Sequence, residues 1–136
     1  MKVKTVVYWL ARGIAAIIMI QTLYFKFSGS EESVYIFSVV GMEPWGRIGV
    51  GVMELIASIL IVVSSTAWLG AVLSLGLMTG AIGMHLTILG IEVQNDGGQL
   101  FLYAVIVSLC SLFVLWYNQE KIISVVKRLT RKEGGY

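Results

Sequence analysis

Four stretches of the chain, about Val6 to Phe25, Ile48 to Val63, Trp68 to Leu89 and Leu100 to Trp116, are apolar, and each is near the roughly 20 residues an α-helix needs to cross the hydrocarbon of a bilayer. Backbone polar groups find no water inside a membrane. A spanning segment is therefore a helix or a strand of a closed barrel, and nothing here alternates with period two for long enough to build a barrel. The sequence thus predicts an all-α fold, an integral membrane four-helix bundle in one domain (residues 1–126) followed by a basic tail (residues 127–136). Composition agrees, with 57% of the residues hydrophobic and 13% charged, against about a quarter charged in soluble domains.

Charge sets the orientation. Lys2 and Lys4 precede the first span, and Lys121, Lys127, Arg128, Arg131 and Lys132 follow the fourth, while the loops after spans one and three hold Glu31, Glu32, Glu43, Glu92 and Asp96. By the positive-inside rule both termini are expected in the cytoplasm. The basic residues lie at the chain ends and not on a face that could track nucleic acid, so the expected partner is the lipid bilayer and no nucleic acid. Met1 to Ile20 begins as a secretory signal does, but Arg12 interrupts the apolar run and no small-residue cleavage site precedes the loop, so it reads as a retained first helix. Ser64 to Ala67 is short enough to force an antiparallel hairpin between spans two and three. In the first outer loop, Ser28 to Glu31 reads as a capping box, Val34, Tyr35, Phe37, Ser38 and Val39 follow, and Gly41 with Pro44 supplies a stop. A short surface helix over the mouth of the bundle is expected there. Asn95 to Gly98 forms the other outer turn, and Lys127 to Tyr136 reads as a basic, partly disordered tail against anionic headgroups.

Ionisable groups inside a span are costly, so they are where a functional argument begins. Here they are Arg12, Glu54 and His85, with Gln21 and Lys26 nearer an edge. In span two, Arg47, Gly51, Glu54, Ser58 and Ser65 recur at helical spacing, a small and polar stripe that should face other helices and point Glu54 inward. Gly70, Ser74, Met78, Ala81 and His85 make a similar stripe in span three. Gly76 and Gly80 form a GxxxG on roughly the other side, expected to pack closely against a helix of the same chain rather than to form a dimer face. Asp96, Gln99, Tyr103 and Cys110 share one side of span four. Glu54 lies about six residues, roughly 9 Å, from the outer start of its span and His85 about four residues from the outer end of its own. Glu54, His85, Tyr103, Gln99 and the rim cations Lys26 and Arg47 are thus the candidate ligand-binding set. Arg12, in the inner half, is an intramembrane charge that either snorkels to the headgroups or is buried with Met19, Leu23 and Lys26 on its face. For Glu54 and His85 two readings stand side by side: a buried pair that fixes helix register, and a ligand or proton-handling site. One His with one Glu is thin for a metal, and a single His cannot provide two axial ligands to a haem, so no metal is expected. Cys110 is the only cysteine, which removes a dithiol mechanism for one copy.

Taken in order along the chain, several residues together are similar to the DoxX-like family of small bacterial membrane proteins. They are Leu10, Ala11 and Arg12 in span one with Lys26 and Gly29 at its outer end, Gly41, Met42, Glu43 and Pro44 before span two, Leu55 beside Glu54, and His85 late in span three. Arg12, Lys26, Glu54 and His85 match positions that the family typically fills with the same residue types. The resemblance implies a four-helix fold in the bacterial cytoplasmic (inner) membrane. For some members it implies association with quinone-linked thiosulfate oxidation or with oxidative-stress complexes. It implies no single shared activity, and whether this chain is an enzyme stays open.

The leading expectation is a membrane subunit or accessory of a redox system, with redox partner proteins, whose outer-half cluster binds a quinone-like or other small lipophilic molecule. His85 or Tyr103 would hydrogen-bond a carbonyl and Glu54 would exchange a proton. The alternatives are a sterol- or lipid-binding protein of lipid-isomerase type and a structural membrane partner without a ligand. A small multidrug exporter ranks lowest, because such proteins place the essential carboxylate in the first span, where this chain has Arg12. No cofactor other than a quinone is suggested, and assembly into a homo-oligomer is left open.

Overall fold

The computed structural model of the chain describes residues 2–133. Six helices follow one another: α1 (Val3–Ser28), α2 (Glu31–Val39), α3 (Trp45–Val62), α4 (Ala67–Met84), α5 (Gln99–Tyr117) and α6 (Gln119–Glu133). A single 3₁₀ turn, Ser64–Thr66, joins α3 to α4, and α4 runs on into a π turn, His85–Leu89. The long helices α1, α3, α4 with its continuation, and α5 are the ones apolar and long enough to cross a membrane. They pack in the cyclic order α1, α3, α4, α5, so that α5 closes back on α1. This is an all-α, multi-pass membrane bundle.

Its packing is what a bilayer demands. Small and polar side chains fill the interior: Ala11, Ala15, Ala16, Ala57, Ala67, Ala71 and Ala104 with Ser58, Ser74 and Ser111 are buried. Large aliphatic side chains face outward, as in Ile17 at 68% exposure and Leu109 at 61%. Lipid tails are as apolar as leucine, so nothing drives the large side chains inward, and close backbone approach selects the small ones. Two of these hydroxyls return to the backbone one turn earlier, Ser58 to the Glu54 carbonyl and Ser74 to the Gly70 carbonyl, both at 2.7 Å, while Ser111 Oγ has no partner among the described residues.

The start of α1 and the end of α5 lie together at one end of the bundle. There Tyr8 of α1 stacks on Tyr117 of α5 with ring centres 3.9 Å apart, and the Tyr8 hydroxyl accepts from Asn118 Nδ2 at 3.0 Å. Arg12 is buried in this half. Its Nε donates to the Ile61 carbonyl at 2.7 Å, its Nη2 donates to the Val62 carbonyl and Ser64 Oγ, and its guanidinium carbon lies 4.1 Å from the centre of the Trp9 ring. The choice between snorkelling and burial is therefore settled for burial. The guanidinium satisfies the orphan carbonyls at the C-terminus of α3 and ties them to α1.

At the opposite end the chain from α1 into α2 turns sharply. Gly29 adopts φ +67°, and the amides of Gly29 and Ser30 close back on the carbonyls of Lys26 and Phe25. The helix then restarts with Ser30, not Ser28, as its cap: Ser30 Oγ accepts from the Ser33 amide at 3.3 Å, while Ser28 ends α1. The expected short surface helix is present, its start displaced by two residues. It packs on α1, α3 and the π turn with Ser33 and Phe37 turned inward.

Two further expectations differ. A Cβ built on Gly76 or Gly80 meets nothing within 4 Å, so the GxxxG makes no close helix contact. The close approach is at Gly70, where a Cβ would lie 2.7 Å from Ile61 Cα. The polypeptide beyond Lys127 is no irregular tail: helix α6 continues to Glu133, and residues 134–136 of the expected tail lie outside the described residues.

Candidate functional site: a cavity beneath helix α2

The half of the bundle under α2 is not closed. A cavity of about 300 Å³ lies among all four spans and α2. Most of its wall is apolar, from Ile18, Met19, Leu77, Met78, Met84 and Leu100 among others, and its polar groups are Thr22, Lys26, Ser30, Glu32, Ser33, Glu54, His85 and Tyr103. Gly76 and Gly80 also line it and are themselves exposed, so the cavity reaches the outer face of α4 through a stretch without side chains. The glycines give the cavity room instead of bringing two helices together.

Glu54 projects inward from α3 and is 3% exposed. Its partners come from α1. Lys26 Nζ lies 3.0 Å from Oε1 and donates to Oε2 at 3.2 Å, and the Thr22 hydroxyl offers its one proton either to Oε2 at 3.2 Å or to the Met19 carbonyl at 3.0 Å. Thr22 and Lys26, four residues apart, stand on one face of α1 above Met19. The ion pair offsets part of the desolvation of both charges.

His85 opens the π turn, a wider coil in which a helix slips register by one residue. That geometry sets its Nδ1 2.9 Å from the Gly90 carbonyl, with Gly90 itself at φ +81°. A carbonyl only accepts, so Nδ1 carries a proton, and in the uncharged ring Nε2 is an acceptor without a partner among the described residues. The ring edge also meets Phe101, centres 5.8 Å apart. Glu54 and His85 thus line one cavity, as the depth argument required, yet their hydrogen-bond partners are Lys26 with Thr22 and Gly90 respectively, not each other.

The remaining candidates divide. Tyr103 lines the cavity, and its hydroxyl accepts from Gln99 Nε2 at 2.7 Å, which leaves its own proton free to donate. Gln99 reaches the cavity only through Tyr103. Arg47 stands outside the wall: its Nε donates to Glu43 at 2.9 Å and its Nη1 to the Lys26 carbonyl, so it braces the end of α1 against the start of α3. Arg12 is far from this group, in the other half.

Glu32 and Thr22 were not among the candidates. Thr22 had a signal, its position one turn before Lys26 on the same face. Glu32 had none, because only the docking of α2 brings it to the cavity. Its carboxyl is raised above the usual range, first by burial and then by the nearby Asp96, and its Oε1 has no partner. Asp96 is the opposite case. Burial alone would raise it, but the amides of Val93, Gly98 and Leu100 outweigh that and hold it lowered. It fixes the turn that leads into α5.

Chemically, the site offers an apolar chamber with a cation paired to a carboxylate, one acceptor at His85 Nε2 and one donor at Tyr103. Comparison of the chain with protein-family models, curated proteins and solved structures gave no match.

Proposed function

We propose that the chain is a DoxX-like protein of the bacterial cytoplasmic membrane that holds a small lipophilic molecule of the quinone class beneath α2, as a membrane subunit or accessory of a redox system. The observation that carries this reading is the convergence of Lys26, Glu54, His85 and Tyr103 on one largely apolar cavity that reaches the lipid-facing side of α4. An isoprenoid-type tail suits the apolar wall and the bilayer outside Gly76 and Gly80. Tyr103 would donate to a ring carbonyl, His85 Nε2 would accept from a ring hydroxyl, and Glu54 beside Lys26 would take or return a proton. A lipid alcohol such as a sterol is the second reading, favoured by the unpartnered acceptor on His85.

The test is thermal unfolding of the purified protein with a short-chain quinone and, separately, with a sterol. The quinone is expected to raise the melting temperature of the wild-type chain, and Glu54→Gln is expected to keep the fold but lose that shift. Absence of a shift, together with no quinone extracted from the purified protein, rejects the quinone reading. A shift with sterol alone selects the second.

The same proposal places both termini in the cytoplasm, because Lys2, Lys4 and the basic residues of α6 stand at one end while Glu31, Glu32, Glu43, Glu92 and Asp96 stand at the other. A reporter fused after Tyr136 should be cytoplasmic and one inserted near Glu32 external. The reverse pattern would put the cavity on the cytoplasmic side.

A further inference from the structure

Helix α6 has an apolar face that the described bundle leaves largely uncovered, with Ile122 and Val125 half-buried and Val126 and Leu129 exposed. At 100° per residue, Ile122, Val125, Val126 and Leu129 fall within about a third of its circumference, with Ile123 at the flank. Lys121, Lys127, Arg128 and Arg131 occupy the rest. Ile123, Val126 and Leu129 are 50%, 52% and 60% exposed. In water that stripe would be an open apolar patch along the helix.

Its position says what covers it. α6 leaves α5 after one residue, Asn118, where the spans end together: Tyr117 stacks on Tyr8, and Lys121 Nζ donates to the Ser65 carbonyl of the α3–α4 turn at 2.8 Å. Lys4 Nζ sits 5.2 Å from the centre of the Trp116 ring at the same end. α6 therefore begins where the hydrocarbon stops. Between Gln119 and Arg131 it carries the four cations just named against one carboxylate, Glu120. A second α6 pairing along the apolar stripe would bring two cationic flanks together, whereas an anionic surface complements them.

We propose that α6 lies along the membrane surface at the end that holds both termini, with Ile122, Val125, Val126 and Leu129 sunk at the boundary of headgroups and acyl chains. Lys121, Lys127, Arg128 and Arg131 then bind anionic phospholipid headgroups. The turn that this requires falls at Asn118, which stands between the two helices at φ −98° and ψ 16°. This assignment is independent of what the cavity holds.

The full chain in lipid nanodiscs tests it. With phosphatidylglycerol present, amides of α6 should exchange hydrogen at least tenfold more slowly than in discs of phosphatidylcholine alone. Salt at about 1 M, where the screening length is roughly 3 Å, should remove the difference. A spin label at Val126→Cys, in a Cys110→Ser background, should be reached by oxygen and shielded from a water-soluble nickel complex, and a label at Arg128→Cys should show the reverse. Equal nickel access at both sites, or equal exchange in the two lipids, overturns the proposal. So does dipolar broadening between Val126 labels, which would mean that a second copy covers the face. Because the exchange experiment uses the unsubstituted chain, a variant that fails to fold does not leave the question open.

Discussion

Arg12 is 1% exposed, and what keeps a guanidinium tolerable at that depth is the number of acceptors that surround it. Two main-chain carbonyls, the Ser64 hydroxyl and the Trp9 and Tyr8 rings take most of its donors and its charge, leaving only Nη1 without a partner. A lysine at this position keeps the charge but loses the planar fork and the stacking. Arg12→Lys is expected to lower stability by about 2–3 kcal/mol, the worth of hydrogen bonds made by a charged group, read as a fall in unfolding temperature in detergent. An unchanged temperature would mean that the α1–α3 tie carries no weight. The face that Arg12 shares with Met19 and Leu23, both buried, was legible from the wheel, but the choice between snorkelling and burial was not. Its partners were not, because the carbonyls at the end of α3 are main chain and leave no mark on residue type. The same holds at Glu54. Depth alone placed it level with His85, but choosing between His85 and Lys26 as partner depends on how α1 and α3 cross, which periodicity does not encode.

Among the helices, glycine spacing misled where glycine surroundings inform. Gly76 and Gly80 carry the GxxxG pattern but face open space, and Gly70, which belongs to no such pattern, lies against the backbone of Ile61 at the α3–α4 hairpin. A methyl group at Gly70 must push two helix backbones apart. Gly70→Ala is expected to cost about 1–3 kcal/mol, as overpacking does, while Gly80→Ala should be neutral or slightly stabilising through helix propensity. Thermal unfolding of the two variants side by side decides it, and equal losses would contradict the packing described. The spans and α2 were readable because apolar runs of fixed length and local caps belong to the sequence itself. α6 was readable in principle from Ile122, Val126 and Leu129 at spacings of four and three, a signal masked by the surrounding basic residues. The π turn at His85 had no sequence signature, since a register slip of one residue changes hydrogen-bond partners and not composition.

For the molecule as a whole, the two halves of the bundle do different work. In the half that carries the termini the helices meet closely: Ile61, Val107, Val114 and Ser111 are wholly buried and Gly70 lets α4 touch α3. In the half beneath α2 the same helices part around the cavity, and α2 with Phe37 lies across it as a roof. A ligand dissolved in the bilayer need not pass that roof, because the wall at Gly76 and Gly80 has no side chains to stop it. Gly80→Leu tests this directly. Its Cβ meets nothing within 4 Å, so the fold should tolerate the change, but the larger side chain stands at the edge of the chamber and fills part of it. The unfolding temperature of the ligand-free variant should stay near that of wild type. Its stabilisation by a short-chain quinone should need at least about tenfold more ligand, equivalent to about 1.4 kcal/mol of lost affinity. Full retention of the quinone response would mean that the ligand neither enters nor sits against this part of α4, and would move the entry to the α2 side.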